Sequence, residues 1–181
     1  MTTQSRIRMI DPDNCTDEQR EVLEARGPQS RVNIFRLLAN NPPFLDALIP
    51  LTTYIFQRST LPARDREIMI LRVGWVTQAE YVWGQHKRLA LSAGVSESEI
   101  ERVKKGADAE GWTAYEAALI RAVDELRRDS FITDATWSVL SRELSPPQLM
   151  DIIFAIGQTL MIASATKTLS VPLDEGLTGF A

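Results

Sequence analysis

The chain has 181 residues, of which 44% are hydrophobic, so it is long enough for one domain with a buried core. A net charge of −4 and the absence of long basic runs argue against a nucleic-acid or anionic-membrane partner. The single cysteine, Cys15, excludes an intramolecular disulfide and a CxxC redox pair, and a reducing cytoplasm is the expected location.

Residues 1–15 are expected to form an extended arm, and residues 16–181 a single helical domain. No segment alternates between polar and apolar residues and no hairpin signal occurs, so the predicted fold is all-α with about eight helices. Pro50 lies inside the helix predicted over 44–58, and a kink or a split is expected there. The uncharged stretch 152–166 is shorter than the roughly 20 residues that span a bilayer, and it predicts a buried helix.

Two neighbouring helices, predicted over 62–76 and 78–92, contain the residues that favour chemistry. The first is apolar over much of its girth, which is typical of a central helix. The connection near Thr77 is short, so the two helices must pack side by side as an antiparallel hairpin.

The second of these helices carries His86, the only histidine in the protein. An imidazole takes or gives a proton near neutral pH. Glu80, Trp83 and His86 are three residues apart in turn and share one helix face, within an arc of about 120°. Glu80 lies about 9 Å from His86 along the helix axis, so direct contact is not expected. Glu67, on the preceding helix, reaches His86 if the hairpin is antiparallel.

Plainer interpretations of the same residues are possible. A lone histidine on an amphipathic helix is more often structural than catalytic, and Trp75, Tyr81 and Trp83 are more often packing residues than a ligand cage. One histidine and no cysteine pair give poor support for a metal site. Arg72 is the most plausible cation for an anionic substrate group.

The runs LPARDREIMILRVGW, AEYVWGQH and AGVSESEIERV resemble the carboxymuconolactone decarboxylase family, which includes alkylhydroperoxidase (AhpD)-like proteins. The resemblance covers about residues 40–170 and is sharpest over 61–105. It implies an all-helical AhpD-like fold built around the helix hairpin. It also implies a homo-oligomer (a dimer, trimer or hexamer) with its site near subunit contacts.

The peroxidase branch of that family carries Cys-x-x-Cys-x-x-x-His, with a glutamate twelve residues before the first cysteine. Aligned on His86, this chain keeps the glutamate as Glu67 but has Ala79 and Val82 at the cysteine positions. Without the two thiols a disulfide cycle is excluded. The remaining acid–base groups suit proton transfer, as in the decarboxylase branch.

The resemblance therefore implies a cofactor-free lyase acting on a small carboxylated lactone or aromatic-derived acid. His86, Glu67 and Glu80 form the expected catalytic set, in which His86 moves the proton and Glu67 orients it. Arg72, Tyr81 and Trp83 are the expected substrate-binding residues. The alternative is a non-catalytic small-molecule-binding or structural homo-oligomer, and a peroxidase-related protein without the thiol cycle ranks third.

Overall fold

The computed structural model describes residues 5–180, so the first four residues of the expected arm and Ala181 lie outside the described residues. Within 5–180 the chain forms nine α-helices and no β-strand, which confirms the predicted all-α class. The helices are α1 (Asp17–Glu24), α2 (Asn33–Leu38), α3 (Pro42–Thr53), α4 (Ala63–Thr77), α5 (Glu80–Ser92), α6 (Glu97–Lys105), α7 (Ala114–Asp129), α8 (Asp134–Glu143) and α9 (Pro146–Thr168).

Helix α4 is the centre of the fold and packs against α5, α6, α7 and α9. Every residue from Asp65 to Leu71 is buried. The apolar pattern predicted this for residues 68–71, but not for the charged Asp65, Arg66 and Glu67, which simple patterning places in a solvated helix start. Helix α5 returns antiparallel to α4 after a two-residue connection, in which Gln78 adopts a left-handed conformation and ends α4. The helices meet closely at Gly74, where a Cβ would lie 3.2 Å from the backbone nitrogen of Trp83.

Helix α9 runs parallel to α4. Gln148 near its start donates to the carbonyl of Thr60, and Lys167 near its end donates to the carbonyl of Thr77. By length and composition this one helix among the described residues could cross a membrane, but half of its most apolar window is buried inside the fold. That burial is typical of the core helix of a soluble domain.

The backbone disturbance expected at Pro50 lies one turn later than predicted. Helix α3 continues through Pro50 to Thr53, and a π-helical turn, Tyr54–Arg58, follows it. This turn closes with a hydrogen bond from the Ser59 nitrogen to the Tyr54 carbonyl, five residues back. Single π-helical turns of this kind occur frequently at functional sites.

A C-terminal strap, defined here as residues 171–180, crosses over α5 in an irregular conformation. Asp174 in the strap accepts hydrogen bonds from the Asn33 backbone nitrogen (2.8 Å) and from the Tyr81 hydroxyl (2.7 Å). The strap thereby caps the N-terminus of α2, which has no side-chain cap of its own. At Gly84 the strap comes so close that an added Cβ would lie 2.9 Å from the Thr178 carbonyl oxygen.

Arg64, in the first turn of α4, joins the starts of α6 and α7. Its guanidinium forms ion pairs with Glu99 and Glu116, the carboxylates of two capping boxes. Burial opposes the ionisation of both carboxylates. The hydrogen bonds from their cap residues and the contact with Arg64 outweigh it, so the pKa of each is lowered.

We expect Arg64→Gln to unfold at a higher pH than the wild type during acid titration. A carboxylate with a lowered pKa in the folded state stabilises the protein above its ordinary pKa of 4.5 and loses that contribution as the pH falls. Removing Arg64 weakens this contribution at both helix starts. Circular dichroism during acid titration measures the midpoint of unfolding. The matched control is Arg121→Gln, which breaks an exposed ion pair with Asp108. Equal acid midpoints for the two variants would contradict the expectation.

Candidate active site

A hydrogen-bonded pair of acid–base side chains lies where the two central helices face each other. Nδ1 of His86 on α5 is 2.7 Å from Oε2 of Glu67 on α4. The Glu67 side chain is only 2% exposed, whereas that of His86 is 17% exposed. A glutamate that accepts from Nδ1–H fixes the ring and leaves Nε2 as the nitrogen that exchanges protons with a bound molecule. The structure thus contains the contact expected from the antiparallel hairpin.

The two positions that carry thiols in the peroxidase branch face the protein core. Ala79 and Val82 are buried, at 0% and 3% exposure, and belong to the main apolar cluster between α4, α5, α7 and α9. His86 follows them on the same side of α5. The side chains on this face of α5 therefore allow proton transfer by the imidazole, and no thiol chemistry next to it.

Two neighbours of the pair were not predicted from the sequence. Phe56, in the π-helical turn, packs against the imidazole with 5.9 Å between ring centroids. Arg66, buried on α4, lies with its guanidinium carbon 5.0 Å from the centre of the Phe56 ring. Its Nε is 3.4 Å from Oε1 of Glu67, the carboxylate oxygen that does not contact His86. The only sequence signal for these neighbours was the position of Arg66 directly before Glu67.

The structure does not bring Arg72, an expected substrate-binding residue, to this pair. Its Nε and Nη2 hold both carboxylate oxygens of Asp124 on α7, at 2.8 and 2.9 Å. Its Nη1 donates to the carbonyls of Val103 and Lys104 at the end of α6. Four of its five N–H groups donate within the fold, so Arg72 joins three helices and is committed to a structural role.

Tyr81 is likewise engaged within the fold. Its hydroxyl donates to Asp174 in the strap and accepts from the backbone nitrogen of Ile34 and from Gln85. Burial, together with the Asp174 carboxylate, raises the pKa of Tyr81 well above its usual range. The side chain stays protonated and fastens the strap to α5, away from the expected role in substrate binding.

Trp83 lies in an aromatic cluster beneath the end of the strap and does not line a pocket beside His86. Its side chain is 1% exposed and packs against Trp75 and against Phe180 of the strap, with ring centroids 5.7 Å apart in each pair. The ammonium of Lys104 lies 5.3 Å from both indole rings and donates to the Phe180 carbonyl. The cluster stabilises the strap.

Glu80, the third expected catalytic residue, is exposed in the first turn of α5. It borders a hollow of about 160 Å³ together with Gln78, Tyr81 and Lys167. A second hollow, of about 390 Å³, lies along the N-terminal segment and includes Cys15. Neither hollow is lined by Glu67 or His86. The expected site residues therefore fall into two places, with Glu67 and His86 in direct contact and Glu80 and Tyr81 at the first hollow.

Comparison with known proteins gives a family similarity over part of the chain, and the fold. Residues 42–125 match the model of the carboxymuconolactone decarboxylase family. This match contains α4 and α5 with Glu67 and His86. Comparison with curated protein sequences gave no match.

Three solved structures share the fold at low sequence identity. An uncharacterised peroxidase-related protein from Ralstonia eutropha JMP134, described as an alkylhydroperoxidase AhpD core, has a TM-score of 0.80 at 15% identity, covering 94% of this chain and 93% of its own. An uncharacterised peroxidase-related protein from Silicibacter sp. TM1040 has a TM-score of 0.77 at 18% identity, covering 94% and 91%. A protein of unknown function from Agrobacterium tumefaciens has a TM-score of 0.70 at 20% identity, covering 76% and 94%.

The family match and the shared fold agree with the arrangement of the central helices. The sequence resemblance over residues 61–105 falls inside the matched range, and the antiparallel hairpin of α4 and α5 is its structural core. Residues 42–125 of this chain are thus similar to the carboxymuconolactone decarboxylase family, and the chain has the AhpD-like helical fold.

Proposed function

We propose that the protein is a cytoplasmic, cofactor-free acid–base enzyme that acts as a lyase on a small carboxylated lactone or aromatic-derived acid. The observation that carries the proposal is the 2.7 Å contact between buried Glu67 and partly exposed His86. A buried carboxylate on one imidazole nitrogen is the arrangement that general acid–base catalysis uses to orient its histidine.

In this mechanism Glu67 accepts a hydrogen bond from Nδ1 of His86, so that Nε2 faces the substrate. When the C–C bond to a carboxylate breaks, carbon dioxide leaves and the electron pair remains on the substrate carbon. The Nε2 proton of imidazolium His86 then bonds to that carbon, and the imidazole regains a proton from water. A neutral Nε2 could instead remove a proton from a substrate carbon, which is the step that an isomerisation requires.

The experiment is incubation of the purified protein with a panel of lactone acids and aromatic acids in D₂O, followed by proton NMR. We expect one class of acid to lose carbon dioxide or to exchange a C–H for deuterium faster than in buffer. We expect this reaction to stop in His86→Gln, because glutamine cannot transfer the proton. A wild-type rate equal to that in buffer for the whole panel would overturn the proposal.

A second candidate, a non-catalytic homo-oligomer, is favoured by the outer face of α9. Met150, Phe154 and Met161 are exposed there, with Phe154 at 57%, and no charged residue lies among them. An exposed apolar face of this length is typical of a surface that another protein covers. We retain self-association as a proposal for both candidates. If the protein assembles but does not turn over any acid of the panel, the second candidate is favoured. A peroxidase-related role is the third candidate, because Cys15 has no second cysteine with which to form a disulfide.

A further inference from the structure

Arg66 differs from Arg72 in how its donors are used. Its guanidinium has two hydrogen bonds, from Nε to Glu67 and from Nη1 to the Ile55 carbonyl, and both are long, at 3.4 Å. Among residues 5–180 its Nη2 meets no acceptor. A buried guanidinium normally has most of its five N–H groups satisfied, so this one is underused.

The underused edge of Arg66 is accessible. The one fully buried side-chain nitrogen or oxygen without a partner in residues 5–180 is Nε of Arg26, so the unpaired Nη2 of Arg66 keeps some contact with solvent. The residue as a whole is only 9% exposed and is held by the Phe56 ring on one side and by Glu67 on another. A cation that is fixed, mostly desolvated and still has free donors is suited to binding an anion.

We propose that Arg66 binds a carboxylate of the substrate, an inference that rests on the proposed acid–base function of Glu67 and His86. Glu67 lies between the two groups, with Oε1 towards Arg66 and Oε2 towards His86. A small acid whose carboxylate meets Nη2 therefore places its neighbouring carbons beside the imidazole. The Phe56 ring, which touches both the guanidinium and the imidazole, supplies an apolar wall.

This assignment narrows the class of substrate. An ion pair with arginine stabilises a carboxylate in the ground state and is lost if that group departs as carbon dioxide, so it would slow the departure of that same group. The carboxylate on Arg66 is therefore the one that the product retains. A decarboxylation here requires a substrate with a second carboxyl group, whereas a proton-transfer isomerisation requires only the retained one.

The first test uses the wild-type protein alone. Benzoate and the uncharged isostere benzamide are titrated into it while the NMR signals of the single histidine are followed. We expect benzoate to shift the His86 signals at a concentration at least tenfold lower than benzamide does, because a charge-assisted hydrogen bond contributes that much to affinity. Equal responses to the two probes, or no response to benzoate, would overturn the assignment.

The second test compares Arg66→Gln with Arg58→Gln. Arg58 is exposed in the last position of the π-helical turn, so its replacement removes the same charge from the turn against which Arg66 packs. We expect benzoate affinity to fall about tenfold or more in Arg66→Gln and to stay unchanged in Arg58→Gln. An equal loss in both variants would mean general electrostatic attraction and would overturn the role of Arg66.

Arg66→Lys keeps the test informative if the glutamine variant does not fold. Lysine retains the charge and loses the planar pair of donors, so we expect weakened benzoate binding with the preference over benzamide preserved. Loss of that preference in a folded Arg66→Lys protein would contradict the proposal. Turnover on the panel of acids separates the two inferences. If Glu67→Gln abolishes turnover while the Arg66 variants bind benzoate normally, only the role of Arg66 fails.

Discussion

The Glu67→Gln variant is expected to turn over substrate about 10²–10⁴-fold more slowly than the wild type and to shift the NMR signals of its histidine. The Glu67 carboxylate lies 2.7 Å from Nδ1 of His86 and holds the ring in one orientation. Glutamine keeps the shape and removes the charge, so the ring loses the charged acceptor that orients it. One histidine in the chain makes these NMR signals unambiguous.

The matched control for this variant is Glu125→Gln. Glu125 is also buried, at 5% exposure, but it accepts hydrogen bonds from Thr133 and Thr136 at the start of α8 and does not contact His86. We expect it to lower stability and to leave the NMR signals of the histidine and the turnover where they are in the wild type. If Glu67→Gln also left those signals in place, Glu67 and His86 would not act as one unit, and the enzyme proposal would lose its basis.

Replacing Trp83 by alanine is expected to lower the free energy of unfolding by ~3–5 kcal/mol. The indole is fully enclosed by Trp75, Phe180 and the strap, and alanine leaves a cavity that these rings cannot fill. Trp137→Ala is the control of the same residue type. Its side chain is 39% exposed on α8, so its loss removes far fewer contacts. Urea unfolding of the two variants measures the difference.

The same variant also tests what Trp83 does. A residue that only supports the strap can be removed without altering the NMR signals of the histidine or the binding of benzoate. If Trp83→Ala remained folded but no longer bound benzoate, the indole would line the substrate site after all, as the family resemblance implied. A stability loss no larger than that of Trp137→Ala would contradict the enclosed position of the ring.

The contact between Glu67 and His86 could be predicted because it depends on local rules. A short connection makes two helices antiparallel neighbours, and helical periodicity then places residues 67 and 86 on facing sides. The family resemblance pointed to the same pair. Neither argument requires knowledge of how distant parts of the chain fold back.

The expected roles of Arg72, Tyr81 and Trp83 depended on distant partners that periodicity does not reveal. Arg72 is held by Asp124, which is 52 residues away, and Tyr81 by Asp174, which is 93 residues away. Phe56 was missed for another reason. The π-helical turn changes which residues share a face, so a regular helix drawn over 44–58 does not place Phe56 at the site.

The capping of α2 by Asp174 has a consequence for how the protein is made. Asn33 is translated 139 to 141 residues before the strap residues 172–174 that bind it. Helix α2 therefore has an uncapped N-terminus during most of translation. Helix α5 likewise lacks the cover of Phe180 until the same late moment. Nascent chains stalled before residue 171 should therefore be cut by proteases within α2 and around Trp83, and they should become resistant once the strap has emerged.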